Sequence, residues 1–141
     1  QELRSQIGQI LGLDRSWRVA IAGGGNIGNA LTDYQEFRTQ GFNIEVVFEV
    51  DPAKIGKKMN EVEVIDIKQA GDYIKKNPLD IVIIAVPARY AQEVCDHFVG
   101  LGVKAFLNFA PISLQVKKDV LVKNENMSVE IESLSFYLNN N

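Results

Sequence analysis

Between an apolar run that reads as a strand, Trp17 to Ala22, and a segment that reads as a helix, Asn26 to Thr39, the chain carries Gly23-Gly24-Gly25-Asn26-Ile27-Gly28. Glycines at this spacing have separate physical uses. Gly23 permits a tight turn off the strand, Gly25 lets the backbone come close to a bulky anion, and Gly28 lets the helix lie near the sheet. The first N–H groups of such a helix have no partners within it, so they can face an anion such as a pyrophosphate. The pattern alone is weak. Its place after a strand and at the opening of a helix makes it a nucleotide-binding signal and predicts the first half of a βαβ unit.

A second strand is read from Asn43 to Val50, stopped by the turn chemistry of Asp51-Pro52. Glu49 and Asp51 lie 21 and 23 residues beyond Gly28, near the ~20-residue offset at which a carboxylate receives the hydroxyls of an adenosine ribose. Residues two apart in an extended strand point the same way, so either can serve. A carboxylate there repels the 2′-phosphate of NADP, although Lys54, Lys57 and Lys58 stand close enough in sequence to blur that preference.

Further along, a short strand is expected at Val62 to Ile65 and a helix from Ile67 to Asn77. The nearly all Ile and Val run from Asp80 to Val86 has the character of a parallel strand buried on both faces. A helix from Arg89 to Leu101 and a strand from Lys104 to Leu107 follow, then short strands at 114–116 and 120–122. This alternation predicts an α/β, Rossmann-type, doubly wound and mostly parallel sheet over residues 15–125. A leading helix is expected over residues 1–12, where Leu3, Ile7, Ile10 and Leu11 share helical spacing. In a last helix, Met127, Ile131, Leu134 and Leu138 form one stripe, and Val129, Phe136 and Tyr137 add apolar surface on other faces. A terminal helix apolar around so much of its circumference favours a subunit interface, with packing onto its own sheet as the alternative.

Composition narrows the function. At 141 residues, 46% hydrophobic and 23% charged, the chain has the size and balance of one soluble domain. Its longest apolar stretch, Ile81 to Ala88, is far short of the ~20 residues of a membrane span, so no membrane partner is expected. Fifteen Lys and Arg against eighteen Asp and Glu, dispersed along the chain, make a poor footprint for a domain that itself grips nucleic acid. One cysteine excludes an intrachain disulfide, and a cytoplasmic location is expected. The start at Gln1 rather than methionine reads as a fragment with sequence missing upstream.

Catalytic candidates are sparse. A dehydrogenase of this fold needs a proton donor or acceptor beside the nicotinamide. The single histidine, His97, and the single cysteine, Cys95, stand two apart on one helix and do not share a face. Cys95 reads as a small buried residue and His97 as a surface one. One Cys and one His cannot close a metal site, and no serine occupies a G-x-S-x-G elbow. A cofactor domain without evident chemistry points to sensing or binding rather than to an enzyme.

Several separated motifs resemble the Rex family of redox-sensing transcriptional repressors. They are Leu11-Gly12-Leu13-Asp14-Arg15 leading into Trp17, the loop Gly23 to Gly28 with Ala30, Leu31 and Tyr34, and Val50-Asp51-Pro52-Ala53-Lys54-Ile55-Gly56. Val86-Pro87-Ala88 with Ala91 to Val94, Asn108-Phe109-Ala110-Pro111 and Ser135-Phe136-Tyr137-Leu138 complete the set. The resemblance implies an NAD(H)-binding domain that reads the NADH/NAD ratio. It also implies a homodimer with exchanged C-terminal helices at residues 126–141, and operator DNA bound by an N-terminal winged-helix domain. Residues 1–14 would then be the remnant of the helix that connects to it. By position, Gly23, Gly25, Asn26, Ile27 and Gly28 would hold the pyrophosphate, and Glu49 or Asp51 the ribose. Val86, Pro87 and the segment Asn108, Phe109, Ala110 and Pro111 would line the ribose and nicotinamide end. Tyr34 would couple the pocket to the DNA-binding domain, a core tyrosine being its plain alternative. Asn126 stands where family members carry Asp, and so caps a helix without the charge. Asn26 stands where they are often basic or small. Two rival readings remain: a small NAD-dependent oxidoreductase fragment, and a CoA or other adenine-nucleotide module.

Overall fold

Val19, Ala20, Ile21 and Ala22 are all buried, so β1 (Trp17–Ala22) presents apolar side chains on both faces, as a strand at the centre of a doubly covered sheet must. The computed structural model describes residues 16–125 together with Leu138. The expected helix of residues 1–12, Asn126 and the expected helix of 127–138, Leu138 excepted, lie outside the described residues. Within them the chain runs through α1 (Asn26–Thr32), α2 (Gln35–Thr39), β2 (Phe42–Glu49), β3 (Lys58–Met59) and β4 (Val62–Asp66). A 3-10 turn (Ile67–Gln69), α3 (Ala70–Lys76), β5 (Ile81–Ile84), α4 (Ala88–Gly100), β6 (Ala105–Asn108) and β7 (Leu121–Asn124) follow.

The sheet order is β3-β4-β2-β1-β5-β6-β7, and every neighbouring pair is parallel except β3 with β4. The six parallel strands, counted along the chain, therefore stand 3-2-1-4-5-6, the dinucleotide-binding arrangement of doubly wound sheets. The order reverses between β1 and β5, the place at which sheets of this kind bind ligands beyond the carboxyl ends of their strands. One face packs Ala20, Ala22, Val46, Phe48, Val82 and Ile84 against Ala70 of α3 and Ala91, Cys95 and Phe98 of α4. The other packs Val19, Ile21, Val47, Val64 and Ile83 against Leu31 of α1 and Phe37 of α2. The fold class is thus the one expected.

Three local expectations are corrected and one unexpected element is added. The helix read as continuous from Asn26 to Thr39 is broken: Asp33 and Tyr34 donate to Ala30 and Leu31 at 3.2 and 3.1 Å, and Thr32 Oγ1 donates to the Asn29 carbonyl. This tight closure ends α1, and Tyr34 is extended before α2 begins. Secondly, a two-residue antiparallel strand, β3, joins β4 through a hairpin that no sequence period announces. Thirdly, residues 114–116 form no strand. Gln92 of α4 accepts from Gln115 N at 2.8 Å and donates to Gln115 O at 2.9 Å, so a side-chain amide on the helix takes the place of a ladder partner. Finally, β5 is shorter than the run that predicted it, beginning after Asp80, whose carboxylate accepts from Arg18 N at 2.8 Å.

At the amino ends of the parallel strands, Arg18 grips Glu45 with Nε and Nη2, each at 2.7 Å, and the Tyr73 hydroxyl donates to the same carboxylate. Burial pushes the Glu45 carboxyl up, but the bonds from Arg18 and Tyr73 outweigh it and hold the group below its usual range.

Candidate functional site

The loop after β1 lies at the switch point and is shaped by its own sterics. Gly23 has φ +112°, and a Cβ there would fall 2.5 Å from the Ala85 carbonyl oxygen. A Cβ on Gly28 would fall 2.3 Å from the Gly23 carbonyl oxygen. Internal packing demands both glycines. Gly25 is different: its φ is −80°, which any residue adopts, and nothing lies within 4 Å of where its Cβ would be. Only the open space in front of it calls for glycine, and a group that must approach the backbone closely fits there. Asn26 and Ile27 are exposed at the same mouth.

The cleft beside the loop has a volume of about 410 Å³, within the range of small-molecule sites. Gly24, Gly25 and Asn26 line it on the loop side, Asn29 on α1, and Lys54, Lys58, Met59 and Asn60 on the segment between β2 and β4. Lys54 Nζ donates to the Gly24 carbonyl at 3.2 Å. Glu49, at the end of β2, also reaches the loop. Its Oε2 accepts from Gly24 N at 2.6 Å, and its Oε1 accepts from Val50 N at 2.9 Å and from Asp51 N at 3.4 Å. A carboxylate has about four acceptor sites, so capacity for a ribose hydroxyl remains on a side chain whose position is already set.

Glu49 and Asp51 do not share an orientation set by a strand, because β2 stops at Glu49. Asp51 turns its carboxylate onto Ala53 N at 3.0 Å, a local turn bond on an exposed segment. Val86, Pro87 and residues 108–111 do not line this cleft; Val86 is next to the glycine turn, its Cγ1 3.1 Å from a Cβ built on Gly23. Pro87 is the exposed residue that opens α4. Asn108 is fully buried: Nδ2 donates to the Ile112 carbonyl and to Asn124 Oδ1, both at 2.9 Å, and Oδ1 accepts from Ala110 N at 2.9 Å. Its side chain is committed to shaping the loop 108–112, in which Ala110 is buried and Pro111 exposed.

Tyr34 is not brought to the cleft. It is 50% exposed and meets Phe37 edge-on at 4.9 Å, which overturns the alternative of a core tyrosine. Cys95 is buried, its thiol pushed up to about 11 by desolvation and, secondarily, by Asp96. His97 is exposed. Sequence reasoning missed Asn29, Met59 and Asn60: a two-residue strand and its turn carry no period by which to find Met59 and Asn60, and Asn29 is brought to the cleft only by their packing on α1.

The CoA-binding-domain family model matches residues 14–112. The redox-sensing transcriptional repressor Rex of Clostridium tetani is 42% identical over 139 residues, covering 99% of this chain and 66% of the relative. Rex of Carboxydothermus hydrogenoformans is 45% identical over 136 residues, covering 96% and 65%. Among solved structures, RSP, described as a Rex-family repressor, is 38% identical. Its complex with beta-NADH has a TM-score of 0.85, covering 99% of this chain and 68% of that one. Its complex with beta-NAD+ and operator DNA has a TM-score of 0.87, covering 99% and 64%. The chain spans about two thirds of the length of the curated relatives it matches.

Proposed function

Because the chain belongs to the Rex family of redox-sensing repressors, and carries the CoA-binding-domain fold that the family model describes, we propose that it is the NAD(H)-binding unit through which a full-length dimer reads the NADH/NAD ratio and controls operator binding. The open approach to Gly25, framed by two glycines that packing demands, supports a pyrophosphate at this loop. Gly23 to Gly28 hold it, and Glu49, already anchored on the loop, receives the adenosine ribose in preference to Asp51. Val86, Pro87 and the loop 108–112 flank the nicotinamide end, Asn108 by shaping that loop.

Sensing then has a physical basis. Only oxidised nicotinamide carries a positive charge, and a mouth lined by Val86 and Pro87 penalises its burial. That difference in affinity can shift a dimer between two arrangements, whereas equal affinities shift nothing. The complexes of RSP with beta-NADH and with beta-NAD+ and operator DNA support this reading. Residues 126–141 supply the dimer contact, Tyr34 and Asn126 pass the signal on, and DNA is held by a domain that precedes residue 15 in the full-length protein. An oxidoreductase role is disfavoured by the position of His97, roughly 14 Å along α4 from the helix end that opens after β5.

A second reading, a CoA or phosphorylated adenosine ligand, is favoured by Lys54 and Lys58 on the cleft, where a ribose phosphate would find two cations. Calorimetric titration with NADH, NAD+, NADPH and CoA in one buffer separates the two. The expected result is NADH binding at least about tenfold tighter than NAD+, a difference of ~1.4 kcal/mol. Equal affinities would end the sensor assignment, and binding of CoA alone would establish the second. For the full-length protein, NADH should release operator DNA in a gel-shift assay.

A further inference from the structure

The β3–β4 hairpin turns through Asn60 at φ +49° and Glu61 at φ +72°, two consecutive left-handed residues without a glycine. Such a turn matches the twist of a two-residue hairpin, but left-handed backbone is strained for Glu and persists only where surroundings over-determine it. The ladder it closes pairs Lys58 with Glu63 and Met59 with Val62, and an edge strand of two residues is not stable unaided. Gly56 N and Val64 N continue the ladder to the Val64 and Lys57 carbonyls at 2.9 and 3.0 Å, and β4 is held in the sheet by β2, but what ties the turn to the helix beside the cleft is Asn60. Its Nδ2 lies 3.0 Å from the Asn29 carbonyl oxygen, 2.9 Å from Asn29 Oδ1 and 2.9 Å from Thr32 Oγ1. All three acceptors belong to α1, the helix that opens at the glycine loop. The hairpin in turn places Met59 over the loop, with Cε 3.3 Å from a Cβ built on Gly24, and lines the cleft with Lys58 and Met59.

We infer that Asn60 is a positioning residue for the adenosine half of the bound nucleotide: by clamping the β3–β4 turn to α1 through Asn29 and Thr32, it holds Met59 and Lys58 as a preformed wall of the cleft beside Gly24. This rests on the assignment of the cleft to a dinucleotide. A preformed wall costs no ordering when the ligand arrives, whereas a loose hairpin must be ordered at the expense of affinity.

Two variants test it. Asn60→Gly keeps the left-handed turn and removes the clamp, and Asn60→Asp keeps the size and replaces the donor with an acceptor. Each should weaken NADH and ADP-ribose by the same factor, about five- to tenfold, the worth of one or two net hydrogen bonds. Equal loss with a ligand that lacks nicotinamide places the effect at the adenosine half. In the ligand-free protein, amide exchange should quicken at Gly56 and Val64, which bond across the hairpin base, but not at Ile21 or Ile83. Wild-type affinity in both variants, loss in Asn60→Gly alone, or exchange quickened equally across the sheet would overturn the inference. If the unaltered protein binds neither NADH nor ADP-ribose, the nucleotide assignment fails first, and the exchange comparison still decides whether Asn60 clamps the hairpin.

Discussion

A methyl group at position 28 would meet the Gly23 carbonyl oxygen at 2.3 Å, while one at position 25 would meet nothing. Gly28→Ala should therefore cost about 1–3 kcal/mol of folding stability through overpacking. Gly25→Ala should change stability by less than about 1 kcal/mol, as befits an N-cap exchange, yet weaken NADH at least about tenfold by blocking the approach of the pyrophosphate. Chemical denaturation beside calorimetry checks the pair; an equal effect of both on stability would mean that Gly25 is structural. Glu45 makes a second prediction at this scale. Its folded carboxyl is held below the ordinary value of 4.5, chiefly because bonds from Arg18 and Tyr73 overcome desolvation. Its stabilising contribution is complete above that ordinary value and is lost as pH falls through the depressed one. Glu45→Gln should be less stable than the wild type at pH 7, and the gap should narrow in acid below about pH 4. A gap independent of pH would remove the ion pair from the account.

At the scale of elements, α4 was legible because Ala91, Cys95 and Phe98 recur at helical spacing and are the residues it buries. Phe98 packs on Phe48 of β2 with ring centroids 5.3 Å apart, and Phe98→Ala should cost about 3–5 kcal/mol. Cys95 reports on the same packing. With its thiol raised from 9.0 to about 11, thiolate is roughly a hundredfold scarcer than in an unperturbed cysteine. Labelling by a disulfide reagent at pH 8 should be negligible until denaturant undocks the helix, and rapid labelling of the native protein would contradict that burial. The elements that escaped sequence reasoning did so for definite reasons. Thr32 and its neighbours close α1 with local bonds that compete with helix continuation. The apolar alternation of Leu114-Gln115-Val116 resembles a strand, but Gln92, 23 residues earlier, supplies its backbone partners.

For the molecule as a whole, ligand and fold are linked: a nucleotide that binds only the folded state at about 100 times its Kd adds about 2.7 kcal/mol of stability. Thermal unfolding with NADH and with NAD+ at equal concentration should therefore give the higher midpoint with NADH, and coincident midpoints would argue against a sensor. Leu138 is 71% exposed on the single chain, so the proposed dimer should bury it. Sedimentation should find a dimer that truncation after Glu125 converts to a monomer; an unchanged state would place the interface elsewhere.

By itself the sequence determined the doubly wound class, the glycine turn at its centre and the acidic residue at the end of the second strand. These are carried by the local sequence: apolar runs fit for burial on both faces, glycines at a fixed spacing, and the offset between strand and helix. Only the tertiary structure decided that Glu49 and not Asp51 faces the loop, that Asn108 spends its polar atoms on Ala110, Ile112 and Asn124, and that Asn60 joins Asn29 at the cleft. Those outcomes hang on a few side-chain hydrogen bonds, several of them between residues distant in the chain, and on where a strand stops. Neither leaves a period in the sequence, because the chain is brought to them by the packing of the sheet.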